Sequence, residues 1–100
     1  MIVVRERNTP KGRLVSLCDR DCIGECYREG ELRLDVTEEF YGGPEATEMS
    51  ASAAMSAIRA ADVVNIVGEE SVNAAITAGL VDEARVLRVA GQPHAQLLWL

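Results

Sequence analysis

The segment that most restricts the fold is residues 62–80, DVVNIVGEESVNAAITAGL. Val63, Val64, Ile66 and Val67 make an almost continuous apolar run that stops at Gly68, the pattern of a central strand covered on both faces. Glu69 and Glu70 then open a helical stretch. Its apolar positions Val72, Ala75, Ile76 and Leu80 share one face, and Gly79 marks its end. The next stretch, ARVLRVAG, reads as a further strand. Strand, helix and strand at this spacing predict a right-handed, parallel βαβ unit, which places the chain among α/β folds.

The amino-terminal part predicts an antiparallel hairpin. MIVVRER and RLVSLCD read as strands, joined by NTPKG, where asparagine, proline and glycine supply turn chemistry. Downstream, LRLDV alternates with Leu32, Leu34 and Val36 inward. TEEFYGG reads as one helical turn capped by Thr37. Pro44 suits the first position of a longer helix in which Ala51, Met55 and Ile58 form a thin apolar stripe. One hundred residues suffice for one modest core, so the expectation is a single domain over 1–100. Its architecture is a mixed sheet of about five strands, hairpin first and parallel unit last, packed with two to three helices.

SLCDRDCIGECYREG holds all three cysteines, Cys18, Cys22 and Cys26, at four-residue intervals. Two sulfurs on one zinc ion lie only about 4 Å apart, whereas the outer Cα atoms of a straight helix would be about 12 Å apart along its axis. The spacing therefore favours a short helix from Cys22 to Glu29, capped by Asp21 and stopped by Gly30, over a metal site. Cys22 and Cys26 are then neighbouring core residues. No cofactor or metal is expected. The odd cysteine count, the early charge at Arg5 and the lack of a run of about 20 apolar residues all favour a cytoplasmic protein.

The net charge of −6 excludes broad nonspecific nucleic-acid binding, but its distribution is uneven. Residues 1–20 carry five basic side chains against two acids. A basic hairpin bearing Arg5, Arg7, Lys11 and Arg13 could contact the phosphates of RNA or of a ribonucleoprotein, although no aromatic stacking platform accompanies it.

A second candidate site gathers Asn65, Ser71, His94 and Gln96 at the strand ends. Asn65 is polar within a buried-looking run and must find hydrogen bonds, either to protein or to a ligand. His94, the only histidine, lies in the Gly–Pro stretch AGQPHAQ, read as a loop beyond a parallel strand, where α/β sheets place ligands. NIVGEES has the strand–glycine–helix order of phosphate sites, but it lacks a glycine-rich loop and a lysine. Glu69 and Glu70 stand where the anion would. The acidic group Glu38, Glu39, Glu45 and Glu48 reads as a solvated helix start. Leu97, Leu98, Trp99 and Leu100 form an apolar tail suited to contact with another copy of the chain.

Taken together, IVVRERNTPKGRLVSLCD, GELRLDVTEEFYGG, NIVGEESV and GQPHAQ resemble a family of small archaeal proteins classed as domain of unknown function 424. The resemblance runs from residue 2 to about residue 96. It is carried by Glu38, Phe40, Tyr41, Gly42, Gly43, Asn65, Gly68, Glu69, Ser71, Pro93, His94 and Gln96. Membership implies an archaeal, cytoplasmic setting and no particular activity. The family pattern rests neither on Cys22 and Cys26 nor on the LLWL tail.

Overall fold

The computed structural model describes residues 1–98. It consists of one six-stranded mixed sheet with a layer on each face, plus a small two-stranded sheet within one of those layers. The chain begins with β1 (Ile2–Thr9) and β2 (Gly12–Asp19), the expected antiparallel hairpin, paired from Ile2↔Asp19 to Thr9↔Gly12. A 3-10 turn at Arg20–Cys22 leads to β3 (Cys26–Glu29) and β4 (Leu32–Asp35), which form the small sheet. Then come α1 (Glu38–Tyr41), β5 (Thr47–Met49), α2 (Ala51–Arg59), β6 (Val63–Val67) and α3 (Glu69–Thr77). After a second 3-10 turn at Glu83–Arg85, the chain closes the sheet with β7 (Leu87–Val89) and β8 (Gln92–Leu98).

Strand order is β5-β1-β2-β6-β8-β7, and only β2 and β6 run parallel as neighbours. The expected βαβ unit is therefore split. β6 and β7 point the same way, but β8 lies antiparallel between them. The reason is local: Ala90 and Gly91 both take positive φ (50° and 83°), the backbone of a tight two-residue hairpin turn. The chain after β7 thus reverses straight into β8. This also corrects the position of His94, which lies inside β8 rather than in a loop.

Residues of one parity face α2 and α3. Ile2, Val4, Val15, Leu17, Val64, Ile66 and Ala95 meet Ala54, Met55, Ile58, Val72 and Ala75 in the larger core. The longer helix starts at Ala51, not at Pro44, and Ala51 itself is exposed. Proline merely permits a first helical turn, whereas the Ser50 hydroxyl accepts the Ala53 N–H and satisfies one of its orphan donors. Residues 47–49 meanwhile pair with the outer edge of β1.

The opposite parity forms a smaller core. Val3, Cys18, Val67 and Val89 are covered by Cys22, Leu34, Val36 and Tyr41. Here the expected Cys22–Glu29 helix does not occur. Gly24 at φ 87° breaks any helical run, and Gly30 at φ 61° serves the β3–β4 turn instead of a helix end. Cys22 is buried, but Cys26 is exposed, so the two are not adjacent core residues. Leu32 is likewise exposed, although Leu34 and Val36 point inward as expected.

Both ends of the parallel β2–β6 seam are closed by an aspartate. At the start of β2, Asp62 Oδ2 accepts the Arg13 N–H at 2.8 Å, and the Asp62 N–H donates to the Arg13 carbonyl at 2.9 Å. At the far end, Asp19 accepts from the Glu70 and Ser71 N–H groups at 3.0 and 2.8 Å. Each carboxylate lies against a glycine of positive φ, Gly12 and Gly68 respectively. A methyl group at either would overlap the carboxylate.

Candidate functional site

Register across the sheet determines which polar side chains meet. Cross-strand partners share a face, so Val3, Cys18, Val67, His94 and Leu87 form one row of the second face. The next row is Arg5, Ser16, Asn65 and Gln96, and the third is Arg7, Leu14, Val63 and Leu98. The β3–β4 sheet, packed toward β7, and α1, packed over β1 and β2, cover the first row. Toward β6 and β8 the later rows emerge into solvent: Asn65 and Val63 are half-buried, Gln96 and Leu98 exposed. β1, β2, β6 and β8 place no carboxylate on this face, although the chain has sixteen acidic residues.

At the centre, Gln96 Nε2 donates to Asn65 Oδ1 at 2.7 Å. This bond satisfies the polar group inside β6, and it leaves the pair with a free Asn65 amide donor and a free Gln96 carbonyl acceptor. Exchanging O and N in both amides still leaves one donor and one acceptor. Diagonal to Asn65, His94 presents a buried Nε2 without a partner, and burial lowers its pKa from the usual 6.5. Ser16, beside Asn65 on β2, is 0% exposed and its Oγ also lacks a partner. Sequence reasoning passed over Ser16. The signal was a lone hydroxyl in the apolar strand LVSLC.

Ser71 does not join this group. Its Oγ donates to Asp19 Oδ1 at 2.7 Å in the first turn of α3. The Asp19 carboxylate therefore occupies the anion position of NIVGEES from within the protein, a role that a phosphate would otherwise take.

The four basic residues of the hairpin are also divided. Arg5 and Arg7 point to the second face, where both donate to the Glu39 carbonyl; Arg5 also bonds the Gly42 carbonyl at 3.2 Å. The Arg7 guanidinium lies 4.7 Å from the centre of the Phe40 ring. These contacts pin α1 to the hairpin, with Arg7 lowered first by burial and then by Arg5. Arg13 points to the other face and pairs with Glu6. Lys11 stands at the exposed tip. The cleft lined by Arg5, Thr37, Glu38, Glu39, Gly43 and Pro44 sets two carboxylates beside one guanidinium, which makes it a poor anion seat.

Asp19, Asp21 and Cys22 bring potential metal-ligand atoms within 4.8 Å of one another. The chemistry is unfavourable. Asp19 already accepts three hydrogen bonds, and burial pushes the Cys22 thiol up, away from the thiolate a metal requires. Cys18, pushed up to about 12 by burial, is further still from that state.

Among the described residues no helix is long and apolar enough to cross a membrane. In comparison with known proteins, no curated protein matches the chain. The fold is similar to the crystal structure of an uncharacterized conserved protein from Methanopyrus kandleri, with a TM-score of 0.76 and 26% identity, over 96% of this chain and 89% of that one. The pattern of the family described as "Protein of unknown function (DUF424)" matches residues 6–100, and the chain belongs to that family.

Proposed function

We propose that the protein is a non-enzymatic binding module, and that its contact surface is the acid-free part of the second sheet face around Asn65 and Gln96. The observation that carries this reading is the 2.7 Å amide–amide bond, which fixes two side chains so that one donor and one acceptor remain available side by side. That arrangement complements a planar group with the reverse pattern, such as a nucleobase edge. Ser16 Oγ and His94 Nε2 flank the pair on the same face but are buried, so they border the site from within and are not themselves part of the contact surface. Binding is favoured over catalysis because Ser16 is fully buried and the Ser71 hydroxyl is committed to Asp19.

Contact with RNA is the macromolecular form of this reading. Arg5 and Arg7 share the face with the amide pair, but their guanidinium groups are held by the Glu39 and Gly42 carbonyls and by Phe40. Base contact at Asn65 and Gln96, not phosphate contact, therefore carries this reading. Arg13 and Lys11 lie outside that surface. The three free thiols agree with a cytoplasmic setting for such a module.

Amide-detected NMR tests the proposal directly, because the Asn65 and Gln96 side-chain NH2 groups give their own resonances. Titration with the four ribonucleoside monophosphates, then with a mixed-sequence single-stranded RNA, should shift those resonances before any others. The double variant Asn65→Leu, Gln96→Leu should abolish the shifts elsewhere on the face while keeping the folded spectrum. Unmoved side-chain amides in every titration would end the proposal.

A further inference from the structure

The strand β8 is longer than its outer neighbour. It extends over Gln92–Leu98, but β7 pairs only with Gln92, Pro93 and His94. On its inner side, β6 pairs with His94 through Leu98. The chain before β7 is a 3-10 turn at Glu83–Arg85, which offers no strand to continue the ladder. Among the described residues, no turn or loop backbone bond ends on residues 95–98. The outer edge of β8 therefore presents unpaired backbone donors and acceptors, a template for another strand.

Natural edges are usually guarded by charge, proline or brevity. The opposite edge of this sheet is guarded: β5 has three residues, and its central Glu48 is paired with Arg20 at 3.2 Å. The free part of β8 has no such guard. Ala95, Gln96, Leu97 and Leu98 are all uncharged, and no Asp, Glu, Lys or Arg occurs anywhere from Gln92 to Leu100, in a chain that is 26% charged. Pro93 lies in the stretch already paired with β7. Two of the exposed large apolar side chains belong to this corner, Leu87 at 47% and Leu98 at 62%.

We propose that the free edge of β8 is an interface between two copies of the chain. Ala95–Leu98 of one protomer pairs antiparallel with the same segment of its partner about a two-fold axis, so the sheet runs on through both protomers. Antiparallel pairing of a strand with its own copy is self-complementary, since each outward donor meets an acceptor of the symmetry mate. Symmetry would also double any charge placed there. In a protein of net charge −6, two copies repel over most of their surfaces, and this neutral edge is where they can approach. Of the tail expected to meet another copy, Leu98 is exposed at this edge, Leu97 packs against the protomer's own core, and Trp99 and Leu100 lie outside the described residues.

Sedimentation equilibrium on the full chain should give twice the 10.8 kDa protomer mass. Amide exchange of Ala95–Leu98 should slow as protein concentration rises. Leu98→Lys, at an exposed site where folding is not at stake, should raise the dimer dissociation constant at least about tenfold. Lys11→Glu, at the tip of the hairpin, should leave it unchanged. A protein that stays monomeric up to millimolar concentration overturns the proposal, as does a dimer that Leu98→Lys leaves intact with the edge amides still exchanging freely.

Discussion

His94 sits with its Nε2 buried among groups that offer it no partner, and that burial has a pH consequence. Removing an imidazolium from water costs free energy, so the folded protein holds its proton less tightly than the unfolded chain, whose value is near 6.5. As pH falls through about 6.5, the unfolded state takes up the proton first. The stability present above that pH is then lost progressively, before ordinary carboxylates begin to titrate. Denaturant midpoints of the wild type should therefore fall between pH 7 and pH 5.5, while those of His94→Gln should stay flatter over the same range. Equal slopes for the two proteins would show that His94 does not carry the effect. Individual site residues were legible in the sequence as exceptions to pattern, such as Asn65 in an apolar run. Their pairing was not. Asn65 faces Gln96 only because two strands 31 positions apart adopt one register, and nothing local encodes that distance.

At the scale of elements, the two aspartate–glycine contacts at the ends of the β2–β6 seam govern register. Gly68→Ala should cost about 2–4 kcal/mol, since it combines an unfavourable positive φ with overlap on the Asp19 carboxylate. Asp19→Ala should cost about 1–2 kcal/mol through loss of the cap on α3. The double variant should be less destabilised than the sum, because removing the carboxylate removes the overlap. Additive costs in urea melts would contradict the contact. Elements with their own end signals were readable: the Thr37 cap of α1 and the Glu69 start of α3 lie where the sequence places them, and the hairpin turn falls within the expected Asn8–Gly12 stretch but narrows to Pro10 and Lys11. The failures share one cause. Four-residue cysteine spacing matched a helix, but Gly24 and the Gly30–Glu31 turn favour a hairpin, and that hairpin is held mainly by packing its Leu34 onto the sheet. Pairing with β1 likewise drew residues 47–49 out of the expected helix.

For the whole molecule, the second face is the thinner covering, built from one helical turn and a hairpin of two four-residue strands. Its three thiols report on it independently. Cys26 is exposed, Cys18 lies on the sheet beneath the layer, and Cys22 is buried within the layer itself. Brief alkylation of the native protein should add one label, on Cys26. Labels on Cys18 and Cys22 should follow only as that layer opens, and their rates should rise with denaturant below the global midpoint. Simultaneous labelling of all three at the global transition would mean that the layer and the sheet open as one unit. The α/β class and the amino-terminal hairpin could be foreseen because they depend on local pattern. The insertion of β8 between β6 and β7 could not, since the two-residue turn at Ala90–Gly91 makes the hairpin but does not say which of its strands meets β6.

The strand order also sets a timetable for the growing chain. β2 has one long-range neighbour, β6, and residues 20–62 must be made before that neighbour exists. During this interval Val15 and Leu17, both destined for the centre of the core, lie on a strand with one side unprotected. The hairpin leaves the ribosome early and waits. Only when Asp62 and Ser71 have both emerged can the two aspartates close over the seam and commit the halves to each other.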